Sequence, residues 1–137
     1  MKKLSMIYLT AISIALFGCV KGPVAELEEK GLKPLTSEQW LETFCNVSLE
    51  NTYEWGKASN EVNDCNYVWT NLENGEVYEG TLIESPEGEQ CTLRTKAKGK
   101  VFDPPKKRCI KAVTFKTVDN EWKMFKKGKL NATMLKK

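Results

Sequence analysis

Five cysteines and no histidine set the chemistry open to this chain of 137 residues. Without histidine, the Ser-His-Asp and Cys-His forms of nucleophilic catalysis are excluded, and the commonest metal ligand is missing. No two cysteines stand in a C-x-x-C pair, so neither a zinc knuckle nor a thioredoxin-like redox pair is expected. Catalysis would have to rest on carboxylates, tyrosine, lysine or a Ser-Lys pair, and no constellation singles these out. Paired carboxylates acting on a wall polymer are the enzyme class left to weigh. With many acidic residues in one segment, a chance pair is easy to find. The reading is non-enzymatic, with no cofactor and no metal.

The cysteines divide as one plus four. Cys19 follows a basic head, Met1-Lys2-Lys3, and an apolar run from Leu4 to Phe17. That run falls short of the ~20 residues a helix needs to cross a bilayer, and the layout is that of a secretory signal. The stretch "LFGCVKG" resembles the lipobox of bacterial lipoproteins. Leu16 takes the aliphatic position, Gly18 the small one, and Cys19 is the residue that would be modified. Phe17 departs from the pattern, where a small or β-branched residue is usual. The resemblance implies cleavage before Cys19 and palmitate-type acylation of its sulfur and amine. Each buried methylene contributes about 0.8 kcal/mol, so several chains make a lasting anchor. Val20, where aspartate would retain the protein in the inner membrane, implies the outer membrane facing the periplasm.

Three segments follow: a signal over 1–18, a lipidated cysteine and tether over 19–34, and one domain over 35–137. The tether "VKGPVAELEEKGLKP" is broken by Gly22-Pro23, Gly31 and Pro34, with a helical turn or two between. In an exported chain the even remainder, Cys45, Cys65, Cys91 and Cys109, reads as two disulfides. Four cysteines allow three pairings. We favour Cys91–Cys109 between paired strands and Cys45–Cys65 pinning a helix to the sheet, each stabilising by roughly 3 kcal/mol in the chain-entropy model.

The domain opens with an amphipathic helix over Ser37–Cys45, capped by Thr36 or Ser37, that lays Trp40, Leu41 and Phe44 on a core. Strand texture begins at "TYEW". "NYVWTNL" and "VYEGTLI" around Asn74-Gly75 give the best hairpin signal. "CTLRTKA", "CIKAVTFKTV" and "EWKMFKKG" complete about six strands, with the Pro104-Pro105 stretch read as a loop. The expected fold class is α+β: one short N-terminal helix packed on a small, mostly antiparallel, curved sheet or partly closed barrel. Val113 and Phe115 are placed inward by alternation, Trp69, Tyr78, Leu82, Leu93, Trp122 and Met124 are further core candidates, and the four tryptophans are read as core rather than a ligand groove. The layout bears a faint similarity to small exported bacterial proteins of unknown function.

Charge is sorted along the chain. Residues 20–95 carry five basic residues against fifteen acidic ones, and residues 96–137 carry fourteen against three. Two readings stay open. Basic strands could lie beside acidic ones and pair across the solvent faces, at a few tenths of a kcal/mol each. Alternatively Lys96, Lys98, Lys100, Lys106, Lys107, Arg108, Lys123, Lys126, Lys127 and Lys129 could gather into a surface for an anionic lipid, polysaccharide or acidic protein. Nucleic acid is not expected in that compartment. The functional expectation is a membrane-anchored envelope protein that binds a protein or an anionic envelope component. The alternative is an inhibitor or immunity protein against a periplasmic hydrolase or toxin, with acidic loops Glu73–Glu79 and Glu84–Glu89 capping a basic active site.

Overall fold

The computed structural model describes residues 22–137. The signal segment and Cys19 lie outside that range. Two short helices, α1 (Pro23–Glu29) and α2 (Ser37–Phe44), precede nine strands. These are β1 (Val47–Tyr53), β2 (Gly56–Asn63), β3 (Asn66–Asn71), β4 (Val77–Ile83), β5 (Glu89–Ala97), β6 (Lys100–Lys111), β7 (Val113–Val118), β8 (Glu121–Lys126) and β9 (Lys129–Lys136). They form one antiparallel sheet in the order β6-β5-β4-β3-β2-β1-β9-β8-β7.

This corrects the expected six-stranded α+β fold: the domain is mostly sheet, nine strands wide. "TYEW" is the end of β1 and the Glu54-Trp55 turn into β2, and both strands are hard to read because "SLENTY" and "KASNEVN" are mostly polar. β9, "KLNATMLK", was missed for the same reason. The prolines expected in a loop lie inside β6. Lys96 pairs with Val101 and Arg94 with Lys106, so Pro104 and Pro105 fall in a bulge of an edge strand. There a missing N–H removes no ladder bond.

The two edges of the sheet, β6 and β7, are separated in sequence by Ala112 alone. Laid flat, the sheet would hold its edges about 38 Å apart at ~4.8 Å per strand step. The backbone through one intervening residue spans only about 7 Å. The sheet is therefore rolled until its edges meet at Ala112. An even number of antiparallel steps means that β6 and β7 run in the same direction. Residues 100–118 are thus one bent run of backbone that forms first one edge and then the other. No hydrogen-bond ladder closes the seam, so the barrel is not closed. A side-chain bond reaches across it: Gln90 Nε2 on β5 donates to Thr114 Oγ1 on β7 at 2.7 Å.

Strand alternation sends the β1–β2, β3–β4, β5–β6 and β8–β9 turns to one end of the roll and α2 to the other. Helix α2 starts at Thr36, whose hydroxyl accepts from Gln39 N at 3.1 Å while its own N–H donates to the Gln39 side chain at 2.9 Å. This reciprocal box satisfies two otherwise orphaned donors. The helix buries Phe44, which packs edge-on against Trp122 at 5.4 Å. Leu49, Val62, Tyr67, Leu82, Met124, Ala132 and Met134 complete this closed end of the core. Leu93, expected inside, is only half-buried and lies between Thr81 and Lys107 in the ladder, on the opposite face from Thr92 and Arg94. Gly80 must lack a side chain, because a Cβ there would collide with the Leu93 carbonyl and the Tyr67 ring. Cys45–Cys65 ties the end of α2 to the β2–β3 turn, and Cys91–Cys109 joins directly paired residues of β5 and β6. Among the described residues, no helix is long and apolar enough to cross a membrane.

Candidate functional site

Alternation along each strand decides which side chains look into the roll. Asn51 and Tyr53 follow Leu49 on β1, Trp69 follows Tyr67 on β3, and Thr92 and Arg94 follow Gln90 on β5. With Asn60, Tyr78, Arg108, Ile110, Lys126 and others they line a cavity of about 470 Å³. Its closed end is apolar, where Phe44, Leu49, Leu82, Met124 and Met134 meet it. Its open end holds four aromatic rings and the cations Arg94 and Lys126, while Arg108 lies lower on the wall, in the ladder row of Leu82 and Thr92.

The rings form a continuous wall. Tyr53 and Trp55 stack at 4.9 Å with planes 9° apart. Trp69 meets Tyr53 edge-on at 6.2 Å, Trp55 at 6.1 Å and Tyr78 at 5.4 Å. Register carries this wall across the sheet, since Asn60 pairs with Trp69 and Trp69 with Tyr78. The Arg94 guanidinium then lies 4.7 Å over the Tyr78 ring. The Tyr53 hydroxyl accepts from Trp69 Nε1 at 3.2 Å and from Asn51 Nδ2 at 3.3 Å. Both of its lone pairs are occupied, so its own proton must point elsewhere.

Among the described residues, three buried side-chain polar atoms have no hydrogen-bond partner in the protein: Asn51 Oδ1, Asn60 Oδ1 and Arg94 Nε. All three belong to residues that line this cavity. Asn51 is only 4% exposed. Leaving such a group unpaired costs roughly 1–3 kcal/mol, so three in one place mark a site rather than ordinary core.

The basic residues expected to gather fall into two hairpins. Lys96, Lys98, Lys100, Lys106, Lys107 and Arg108 lie on or between β5 and β6; Lys123, Lys126, Lys127 and Lys129 lie on or between β8 and β9. The tips of both hairpins are at the open end. Part of the set is neutralised at the surface: Lys96 meets Glu79 at 3.8 Å and Lys98 meets Glu76 at 3.5 Å. The Glu76 carboxylate holds the Lys98 ammonium above its usual pKa. Lys107 and Lys123 alternate with inward residues and face away from the cavity. Lys106 stands directly across the ladder from Arg94, and Arg108 across from Thr92. Arg94, Lys106 and Arg108 therefore share the cavity-side face of the β5–β6 ribbon, and none of them is within ion-pair distance of a carboxylate among the described residues.

The acidic loops are engaged within the chain. Glu73 accepts from Lys57 N at 3.2 Å and Glu87 from Ser37 N at 3.3 Å, while Glu76 and Glu79 hold the lysines just named. Among the described residues, no group of acidic or cysteine side chains is placed to hold a metal ion.

The tryptophans expected to fill the core divide by depth. Trp122 is buried, Trp55 is 50% exposed at the mouth, and Trp69 stands between. Asn51, Asn60 and Arg94 went unnoticed in the sequence. The signal available was an asparagine at an inward parity position on each of two neighbouring strands.

The fold and site together define a class: a rolled antiparallel sheet, plugged at one end by a helix, with an aromatic and cationic chamber open at the other. Barrels of about this strand number can hold one small ligand. No family model, curated protein or solved structure matches the chain, so the site is read from its own residues.

Proposed function

We propose that this chain is a non-enzymatic binding protein, moored to the outer membrane through an acylated Cys19 on its periplasmic side, that takes an anionic component of the envelope. The observation that carries the reading is the cation set Arg94, Lys106 and Arg108 on one face of the β5–β6 ribbon. Like charges set across a ladder destabilise a sheet, and Arg94 lies opposite Lys106 without a carboxylate between them. Such an arrangement is stabilised by an anion brought from outside. Arg94 and Arg108 suit a planar acid, because guanidinium groups bind carboxylate and phosphate through paired N–H donors. The absence of histidine from the sequence supports binding rather than turnover.

Chromatography on an immobilised anionic polysaccharide tests the reading. The intact protein is expected to elute at clearly higher salt than a variant carrying Arg94→Gln, Lys106→Gln and Arg108→Gln, with both running through a neutral polysaccharide. Equal elution of the two proteins would remove the site from the function.

A further inference from the structure

The chamber itself says more about the ligand than its charge. We infer that the roll binds a sugar acid: a pyranose ring carrying a carboxylate, seated between the aromatic wall and the two inward asparagines. This deepens the anion-binding reading and rests on it.

Each wall of the chamber asks for a different chemical feature. Asn51 Oδ1 is an acceptor without a partner, and its orientation is fixed because Asn51 Nδ2 donates to the Tyr53 hydroxyl at 3.3 Å. Asn60 Oδ1 is a second such acceptor on the neighbouring strand. Both need a ligand that brings O–H or N–H donors deep into the cavity. The Tyr53 proton, pushed away by the two donors its oxygen accepts, needs an acceptor. A hydroxyl group supplies both roles at once. The indoles of Trp55 and Trp69 present π-faces and edges at the mouth, which suit the weakly polarised C–H face of a sugar ring. Arg94, with its guanidinium carbon 4.7 Å over the Tyr78 ring, has an Nε without a partner and no carboxylate within ion-pair distance, so a ligand carboxylate would find its N–H donors uncommitted to any acid of the chain. A cavity of about 470 Å³ lies within the usual range for a small-molecule site.

The main competitor is a fatty acid, with its head on Arg94 and its tail toward Phe44 and Leu49. Its methylenes would pass the two asparagine oxygens and leave both unpaired in a drier cavity, at a larger cost than without the ligand. The two asparagine oxygens, with no partner in the chain, are what weigh against a tail on these walls.

The experiment follows tryptophan fluorescence of the purified full chain in nanodiscs. D-glucuronate, N-acetylmuramate, D-glucose and decanoate are titrated in turn. At least one of the two sugar acids is expected to give a saturable change, and glucose one at least tenfold weaker. Arg94→Gln should weaken the sugar acid by about tenfold or more, the size of one charged hydrogen bond, and leave the weak glucose response unchanged. Asn51→Leu should weaken both sugars and change the melting temperature little, because the unpaired Oδ1 and the 3.3 Å bond from Nδ2 to the Tyr53 hydroxyl are removed together. Should Asn51→Leu not fold, Asn60→Leu makes the same test on the adjacent strand. The inference is overturned if neither sugar acid binds, if glucose binds as well as they do, if decanoate alone binds, or if a folded asparagine variant binds like the wild type. Polysaccharide retention that depends on Arg94, Lys106 and Arg108, together with silence toward both sugar acids, would sink the ligand class and leave the anion site standing.

Discussion

Replacing Arg94 with methionine should make this protein more stable. Methionine keeps the length of the side-chain stem and removes the guanidinium. What is lost is the contact with the Tyr78 ring at 4.7 Å, about 0.5–1 kcal/mol for a partly solvated cation over an aromatic face. What is gained is the removal of the buried, unpartnered Nε, roughly 1–3 kcal/mol. Relief of repulsion from Lys106, directly across the ladder, adds a few tenths of a kcal/mol. The balance favours the variant by about 1 kcal/mol, a rise in Tm of roughly 4 °C for a domain of this size. Differential scanning calorimetry in low salt, with wild type, Arg94→Met and Arg94→Lys side by side, measures it directly. The lysine variant should fall below the methionine one, because it keeps the charge and loses the guanidinium's contact with Tyr78. A drop of several degrees in Arg94→Met would refute the reasoning, since it would mean that the arginine is a satisfied structural group.

Other expectations follow from the same structure. Phe44→Ala removes the ring that packs on Trp122 and should cost about 3–5 kcal/mol, read as an earlier denaturant midpoint with the slope unchanged. Replacing Cys45 and Cys65 together by serine should cost roughly 3 kcal/mol in the chain-entropy model, and reducing agent should then have less effect on the variant than on the wild type. The Ser48 hydroxyl, first, and then Lys137 hold the Glu61 carboxyl below its ordinary value of 4.5. The stability this provides is complete above pH 4.5 and disappears as pH falls through the lowered value, so Ser48→Ala should unfold at lower denaturant than wild type at pH 6 and at the same denaturant at the acid end of the titration. Mass spectrometry of the mature protein should find residues 1–18 gone and acyl chains on Cys19; an unmodified thiol there would remove the anchor from the proposal.

Much of the domain was readable where side-chain chemistry and backbone geometry agree. The cap candidates Thr36 and Ser37 announced α2, with the cap falling on Thr36, and Asn74-Gly75 announced the β3–β4 hairpin, where Gly75 has a φ of +76°. Cysteine parity pointed to the bridges. β1 and β2 are hard to read because one inward position on each is polar, Asn51 and Asn60, which breaks the apolar alternation by which a strand is recognised; β9 turns only the small Ala132 and Met134 to the buried side. The same two residues shape the chamber, so what obscured the fold is what marks the site. The tryptophans misled in the opposite sense. Aromatic content alone does not distinguish Trp122, packed against Phe44, from Trp55 at the rim; only the position of the β1–β2 turn at the open end does. A curved sheet was expected, but its order of nine strands was not legible, because that order depends on β1 pairing with β9, and no local pattern encodes so distant a partner.

That pairing sets the order in which the molecule can be completed. Leu49 lies beside Lys136, and Asn51 beside Met134. A polypeptide growing from its N-terminus can zip β1 to β6 as successive neighbours, leaving one flank of β1 bare. The bare flank waits until β9 arrives, so a junction inside the finished sheet, between six strands and three, is sealed after the strands on its longer side are already paired. Truncating even a few residues at the C-terminus would therefore unseal the middle of the structure rather than trim its margin.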